Sequence, residues 1–312
     1  MSIEYPISAM IGLDAGQQVS DTSETAREWL NAEERVALRA LRARCARREI
    51  TERRRTAKRL CSAFSHNSLS LLYQPQFHLK SRLMLGAEAM LRLPHHRRGL
   101  VLTQYFIPNT EPSDMADEIG AWVLQRACQE AMQWPDRLSV AIILSPRQLQ
   151  SGRLIKTVIK ILAQTGMNAT RIQIQVSEAT LIDPNEDTLF NLNALRGLGM
   201  RLTLNHFGAN YARLAKLNKL PLSRLKLDRS MIQTAAEEAG DAVLVRAVIE
   251  AGHAMGCTII VDGVETEEEC QLLEELGCEE AQGPYFGQPI PAVDLLSKLT
   301  PRQYYSRDLH LI

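Results

Sequence analysis

Six positions along this chain carry side chains able to handle metal ions, phosphates or protons where short apolar runs end: Glu88, Gln175, Asn205-His206, Lys226-Asp228, Asp262 with Glu265, and Gln282. A seventh run ends in Ile143, which offers no donor atom. Hydrolysis of a phosphodiester by a pair of hard divalent cations requires several anionic oxygens around them. Here the strongest candidates are Glu88 and Asp262, while Gln175 and Asn205 are neutral amides. His206 suits a softer metal than Mg²⁺, and a lone His in such a place is more often a hydrogen-bonded polar residue than a ligand. Lys226 invites a salt bridge to Glu88 or Asp262. The set has the outline of a metal site but too little negative charge to hold two cations.

What must position these residues is a series of alternating β and α patterns after residue 65. LSLLYQPQF and RLMLGAEAMLRL read as two strands joined at Lys80-Ser81, a hairpin. Strands SVAIIL, RIQIQVS, RLTLNH, RLKLD and CTIIVD follow, with a last one near Glu280–Tyr285. Between them helices are expected at Asp117–Gln133, Gln148–Gln164, Glu186–Leu198, Asp241–Met255 and Glu267–Leu276, with a loop and short helix before RLKLD. Near-continuous apolar runs in several strands suit a sheet buried on both faces. The pattern predicts an α/β fold, a TIM-like (β/α)8 barrel with one antiparallel strand from the hairpin, preceded by an N-terminal helical segment. In such a barrel the C-terminal strand ends gather at one mouth.

Blocks around those ends carry a resemblance. YQPQF at 73–77, GAEAMLR at 86–92, Phe106-Ile107-Pro108, LSPRQL at 144–149, LKLDRS at 225–230, DGVET at 262–266, and EAQG at 280–283 with Phe286 and Pro289 occur in this order. No single block is informative. Together, from about Leu72 to Leu295, they resemble the EAL family of bacterial cyclic di-GMP phosphodiesterases.

The resemblance implies a two-metal site using Mg²⁺ or Mn²⁺ in active members, and this chain departs from it there. The family's Asn before Leu-Ser-Pro is Ile143; the Glu of its E-I/L-T-E block is Gln175; its Asp-Asp pair is Asn205-His206; and the Glu of its A-E-G-V-E block is Asp262. An imidazole replaces a bridging carboxylate poorly. Remnants are Glu88, Lys226, Asp262 and Glu265. No metal, no cofactor and no catalysis are therefore expected. The loop after the fifth strand also departs, with Asn210 at a family Gly and Ala212-Arg213 for serines, although its anchor Glu178 is retained. By the same resemblance Gln74, Glu88, Leu91, Arg92, Pro146 and Gln282 map to the dinucleotide pocket, with Arg92 suited to a bidentate phosphate contact. Pro75, Leu91 and Pro146 equally suit packing, and Arg92 a pair with Glu88 or Glu265. Pro284 alters the pocket rim.

The rest of the chain divides into residues 1–20, a flexible lead; 21–65, a basic helical segment; 66–300, the barrel; and 301–312, a tail. The whole chain has 36 basic and 36 acidic residues, yet Arg35 to Arg59 holds eleven Arg or Lys and two acids. That charge could neutralise phosphates, but no helix-turn-helix or zinc motif accompanies it, so nucleic acid is not the expected partner; a solvated, dimerising or signalling helix is preferred. No signal sequence or membrane-length apolar run is present, and six scattered cysteines without a C-x-x-C pair suit reduced thiols, so a cytoplasmic location is expected. The expected function is non-catalytic regulation in cyclic di-GMP-linked signalling, through a protein partner and compatible with a homodimer. The alternative is a receptor that binds cyclic di-GMP without cleaving it.

Overall fold

The computed structural model describes residues 44, 47, 51, 58–95, 99–102, 113–181, 183–207, 217, 219–237 and 239–299. The chain divides into two compact units, Met1–Arg55 and Thr56–Ile312. In the first, Arg44, Arg47 and Thr51 are helical and exposed, and the Thr51 hydroxyl donates to the Arg47 carbonyl at 2.8 Å. Most of the basic segment, and the residues around 106–108, 210 and 212–213, lie outside the described set.

The second unit is built on strands β1 (Ser70–His78), β2 (Met84–His95), β3 (Gly99–Leu102), β4 (Ser139–Ile143), β5 (Ile172–Ser177), β6 (Arg201–Phe207), β7 (Arg224–Leu227), β8 (Thr258–Val261) and β9 (Glu280–Gln282). Their order is β1-β9-β8-β7-β6-β5-β4-β2-β3, and an additional β1–β2 pairing closes eight strands into a barrel. β1 is the reversed strand, antiparallel to both β2 and β9, while the pairs from β2–β4 through β8–β9 are parallel. The hairpin was legible. β3, an antiparallel flap along the far half of β2, was not, because four residues behind a Pro-His-His run give almost no pattern.

Helices α1 (Ser113–Ala131), α2 (Pro146–Leu149), α3 (Leu154–Thr165), α4 (Glu178–Leu181), α5 (Glu186–Gly197), α6 (Arg229–Glu237), α7 (Ala239–Ala254), α8 (Glu267–Leu276) and α9 (Ala292–Leu295) surround the barrel. The expected helix over 148–164 is two helices. Ser145 caps α2 in a capping box with Gln148, Pro146 opens it, and the short α2 ends before Gly152. α8 matches its expected span: Thr266 and Glu269 form its capping box, and Gly277 ends it in the left-handed region at φ +94°. No helix among the described residues is long and apolar enough to cross a membrane.

Strand alternation explains the core. Ile142, Ile174, Leu202, Leu204, Leu225, Leu227, Ile259 and Val261 face outward and belong to one large apolar cluster under the helices. The opposite faces turn inward, and apart from residues such as Ala141 and Ile260 they are mainly polar. Gln76, Glu88, Ser139, Gln173, Gln175, Thr203, Arg224, Lys226, Glu280 and Gln282 are all buried. The sheet is buried on both faces as expected, but its interior is polar, whereas aliphatic layers fill the usual barrel of this type. A smaller apolar cluster sits beside β2, where Leu60, Ala63 and Leu69 meet Leu93 and Ile119. Residues 58–65 are helical, so the end of the segment read as a separate basic helix packs on the barrel unit.

Candidate functional site

The residues at the strand ends converge on one carboxylate. Glu88 of β2 is 4% exposed, and its Oε2 accepts from Lys226 Nζ at 2.6 Å, Gln282 Nε2 at 2.9 Å and Gln175 Nε2 at 3.3 Å. Lys226 Nζ also lies 2.8 Å from Asp262 Oδ2. β7 stands across the barrel from β2, so the lysine spans the interior. Burial pushes the Glu88 carboxyl up, but the Lys226 charge and the three donors outweigh it and hold the group below the usual carboxylate range. Burial likewise opposes charge on Lys226, and the Asp262 and Glu88 carboxylates overcome it, raising the ammonium above its ordinary value.

A second tier of amides extends the network. Gln282 Nε2 also donates to Gln74 Oε1 at 3.0 Å, Gln76 Nε2 donates to Gln282 Oε1 at 2.9 Å, and Gln74 Nε2 reaches the Gly287 carbonyl at 3.3 Å. Gln76 was not singled out from the sequence. Its spacing of two from Gln74 on one strand was the available signal.

Ile143 ends β4 in register with Gln175, where it presents hydrocarbon to the mouth. Asn205 and His206 occupy an irregularity in β6. Leu204 pairs with Leu225 and Phe207 with Leu227, so two residues oppose Lys226 alone. Such a bulge re-aims side chains at a barrel rim, and nothing in the sequence signalled it. Asn205 is buried, at 3% exposure.

The pocket residues separate. Leu91 packs against both apolar clusters, and Pro146 is the first residue of α2. Arg92 shares a strand face with Glu88 four residues on. It does not take the pairings foreseen for it: Glu88 is held by Lys226, and Glu265 pairs with Arg229 at the surface. Arg92 Nε is buried without a hydrogen-bond partner, and burial lowers the guanidinium's pKa. Asp228 sits just past β7 and accepts from the Ser230 amide at 3.0 Å. Glu178 begins α4 immediately after β5, but the loop it was expected to anchor lies outside the described residues.

A third tier lies below, also unforeseen. Arg224 Nη2 donates to Glu280 Oε1 at 2.5 Å and Arg224 Nη1 to Gln173 Oε1 at 3.0 Å, while Gln173 Nε2 donates to Ser139 Oγ at 2.5 Å. Beneath the mouth the barrel is therefore closed by a second buried ion pair.

Comparison with known proteins agrees with the layout. The family model described as "EAL domain" matches residues 57–289. An uncharacterized protein, y4lL, of Sinorhizobium fredii is 34% identical over 258 residues, covering 83% of this chain and 31% of the relative. The bifunctional diguanylate cyclase/cyclic di-GMP phosphodiesterase MucR of Pseudomonas aeruginosa is 32% identical over 244 residues, 77% of this chain and 36% of MucR. The chain thus spans about a third of the length of these curated relatives. The solved structure described as "PaMucR Phosphodiesterase, c-di-GMP complex" superposes with a TM-score of 0.69 at 32% identity over 75% of this chain and 96% of that one. A closed barrel with one reversed strand, Glu88 at its mouth and a family match over most of the chain lead to one conclusion: the chain belongs to the EAL domain family.

Proposed function

We propose that this chain is a non-hydrolytic EAL protein that regulates a protein partner in cyclic di-GMP-linked signalling. One observation carries the reading: Glu88 Oε2 is already occupied by three donors, two of them amide N–H groups and one an ammonium. A divalent cation at this carboxylate would meet hydrogen-bond donors instead of oxygen ligands. Gln175 turns its N–H toward Glu88, and Ile143 beside it has no donor atom, so the residues present do not fit a pair of Mg²⁺ or Mn²⁺ ions. Lys226 fills the electrostatic role of a cation with a charge fixed to the chain. We infer a cytoplasmic location, where the thiols of Cys128, Cys257, Cys270 and Cys278 would stay reduced.

A second reading, a receptor that binds cyclic di-GMP without cleaving it, is favoured by one feature. Arg92 holds a buried guanidinium nitrogen with no partner on the face shared with Glu88, and an unpaired buried donor is costly unless a ligand satisfies it. Two measurements separate the readings. Purified full chain with Mg²⁺ or Mn²⁺ should give no turnover of cyclic di-GMP; appreciable turnover would overturn both. Calorimetric titration with cyclic di-GMP should give no heat at high micromolar ligand if the role is ligand-free. Binding that disappears in Arg92→Ala would establish the receptor instead.

A further inference from the structure

The buried polar interior of the barrel leaves several acceptor oxygens that no protein donor reaches. Glu88 fixes the direction of the amides above it, because an ionised carboxylate only accepts. Gln282 and Gln175 must each turn an N–H toward it, and Gln282 then presents its carbonyl to Gln76, which must donate in turn. Every N–H of this relay that the geometry fixes points to Glu88 or to the next amide. The carbonyls at its two ends, Gln76 Oε1 and Gln175 Oε1, are left over, buried and without a hydrogen-bond partner. In the tier below, Arg224 is committed to Gln173 and to Glu280 Oε1, leaving Glu280 Oε2 buried and unpartnered. Thr203 Oγ1 is a fourth such atom.

These four oxygens belong to one neighbourhood. Thr203 is the register partner of Gln175 on β5 and of Arg224 on β7. Arg224 holds Glu280, which lies two residues before Gln282 on β9, and Gln282 holds Gln76. The ring closes through Glu88, which accepts from both Gln282 and Gln175. Three carbonyl or carboxylate oxygens and one hydroxyl thus lie on residues that link the upper ion pair to the lower one, all no more than 5% exposed. Leaving each unsatisfied would be costly. A buried water typically makes about three hydrogen bonds and donates two of them, which is the chemistry missing here.

We propose that the barrel encloses ordered water between its two buried ion pairs, held by Gln76 Oε1, Gln175 Oε1, Thr203 Oγ1 and Glu280 Oε2. This hydration site is independent of the regulatory reading above, since it needs neither a nucleotide nor a partner. It differs from a metal site in its requirement: the atoms ask for hydrogen-bond donors, and Lys226 and Arg224 already supply positive charge.

The test is a high-resolution crystal structure of the full chain, from crystals grown in rubidium chloride, together with that of Thr203→Val. Ordered solvent touching these oxygens, without anomalous scattering, is expected in the native chain. The peak at Thr203 Oγ1 should be lost in the variant while the others persist. Anomalous density at these oxygens would assign the site to a monovalent cation and overturn the proposal. So would amides that meet protein donors with no solvent between them, or solvent at residue 203 unchanged in the variant.

Discussion

Lys226 Nζ lies 2.6 Å from Glu88 Oε2 and 2.8 Å from Asp262 Oδ2, with its own side chain 1% exposed. One ammonium thus bridges two carboxylates, Glu88 across the barrel on β2 and Asp262 just past the neighbouring β8. Taking three charges out of water is expensive, and their mutual attraction offsets that cost only while all partners are present.

Removing the lysine should therefore be more damaging than its burial alone suggests. Lys226→Met is expected to destabilise the fold by about 3–5 kcal/mol, since it leaves Glu88 buried and unpaired. Chemical denaturation gives the number. A loss below about 1 kcal/mol would mean that Glu88 is satisfied by its amides alone.

Acid should weaken the protein through the same carboxylate. The folded pKa of Glu88 is depressed, and in the unfolded chain it titrates near about 4.3. As pH falls below that value the unfolded chain takes up a proton that the folded one refuses, so stability drops until the folded group also titrates. Urea midpoints measured from about pH 6 down to about pH 3 should fall, with a shallower slope in Glu88→Gln. An identical slope would place the acid sensitivity elsewhere.

Restoring a carboxylate at 175 tests the metal argument directly. Gln175→Glu removes a donor to Glu88 and sets two like charges together, which raises one of their pKa values. The variant should be less stable near neutral pH than in mild acid. Mn²⁺ should raise its melting temperature and leave that of the native chain unchanged. An equal Mn²⁺ shift in the native protein would show that the existing residues accept the ion.

Gly86 stands where β2 meets β4, and a Cβ there would come within 2.2 Å of the Ser139 carbonyl oxygen. Because that obstacle is backbone, Gly86→Ala must move a strand. A cost at or above the usual overpacking range of about 1–3 kcal/mol is expected, read by thermal unfolding. A neutral variant would contradict the close approach of these strands.

How far the sequence went follows from what each feature needs. The barrel was legible because outward-facing Ile, Leu and Val recur along each strand with turn signals between them, and α8 was legible end to end because Thr266, Glu269 and Gly277 mark both its ends. A salt bridge from Lys226 to Glu88 or Asp262 was expected from charge, and the lysine reaches both. The inner polar tiers were not legible: Gln76, Gln173, Arg224 and Glu280 look like ordinary solvent-facing residues until β closure turns them inward. The bulge at Asn205-His206 depends on register with β7, a relation between segments some twenty residues apart that no local pattern records. β3 failed for want of length.

The reversed direction of β1 has one further consequence. In a barrel of eight parallel strands the chain enters the first strand at the end remote from the functional mouth. Here Ser70 pairs with Arg92 and the helical residues 58–65 pack beside Leu93, so the polypeptide enters at the mouth itself. Whatever pulls or twists that entry helix acts on the doorway of the barrel, with a lever only one strand pairing away from Arg92.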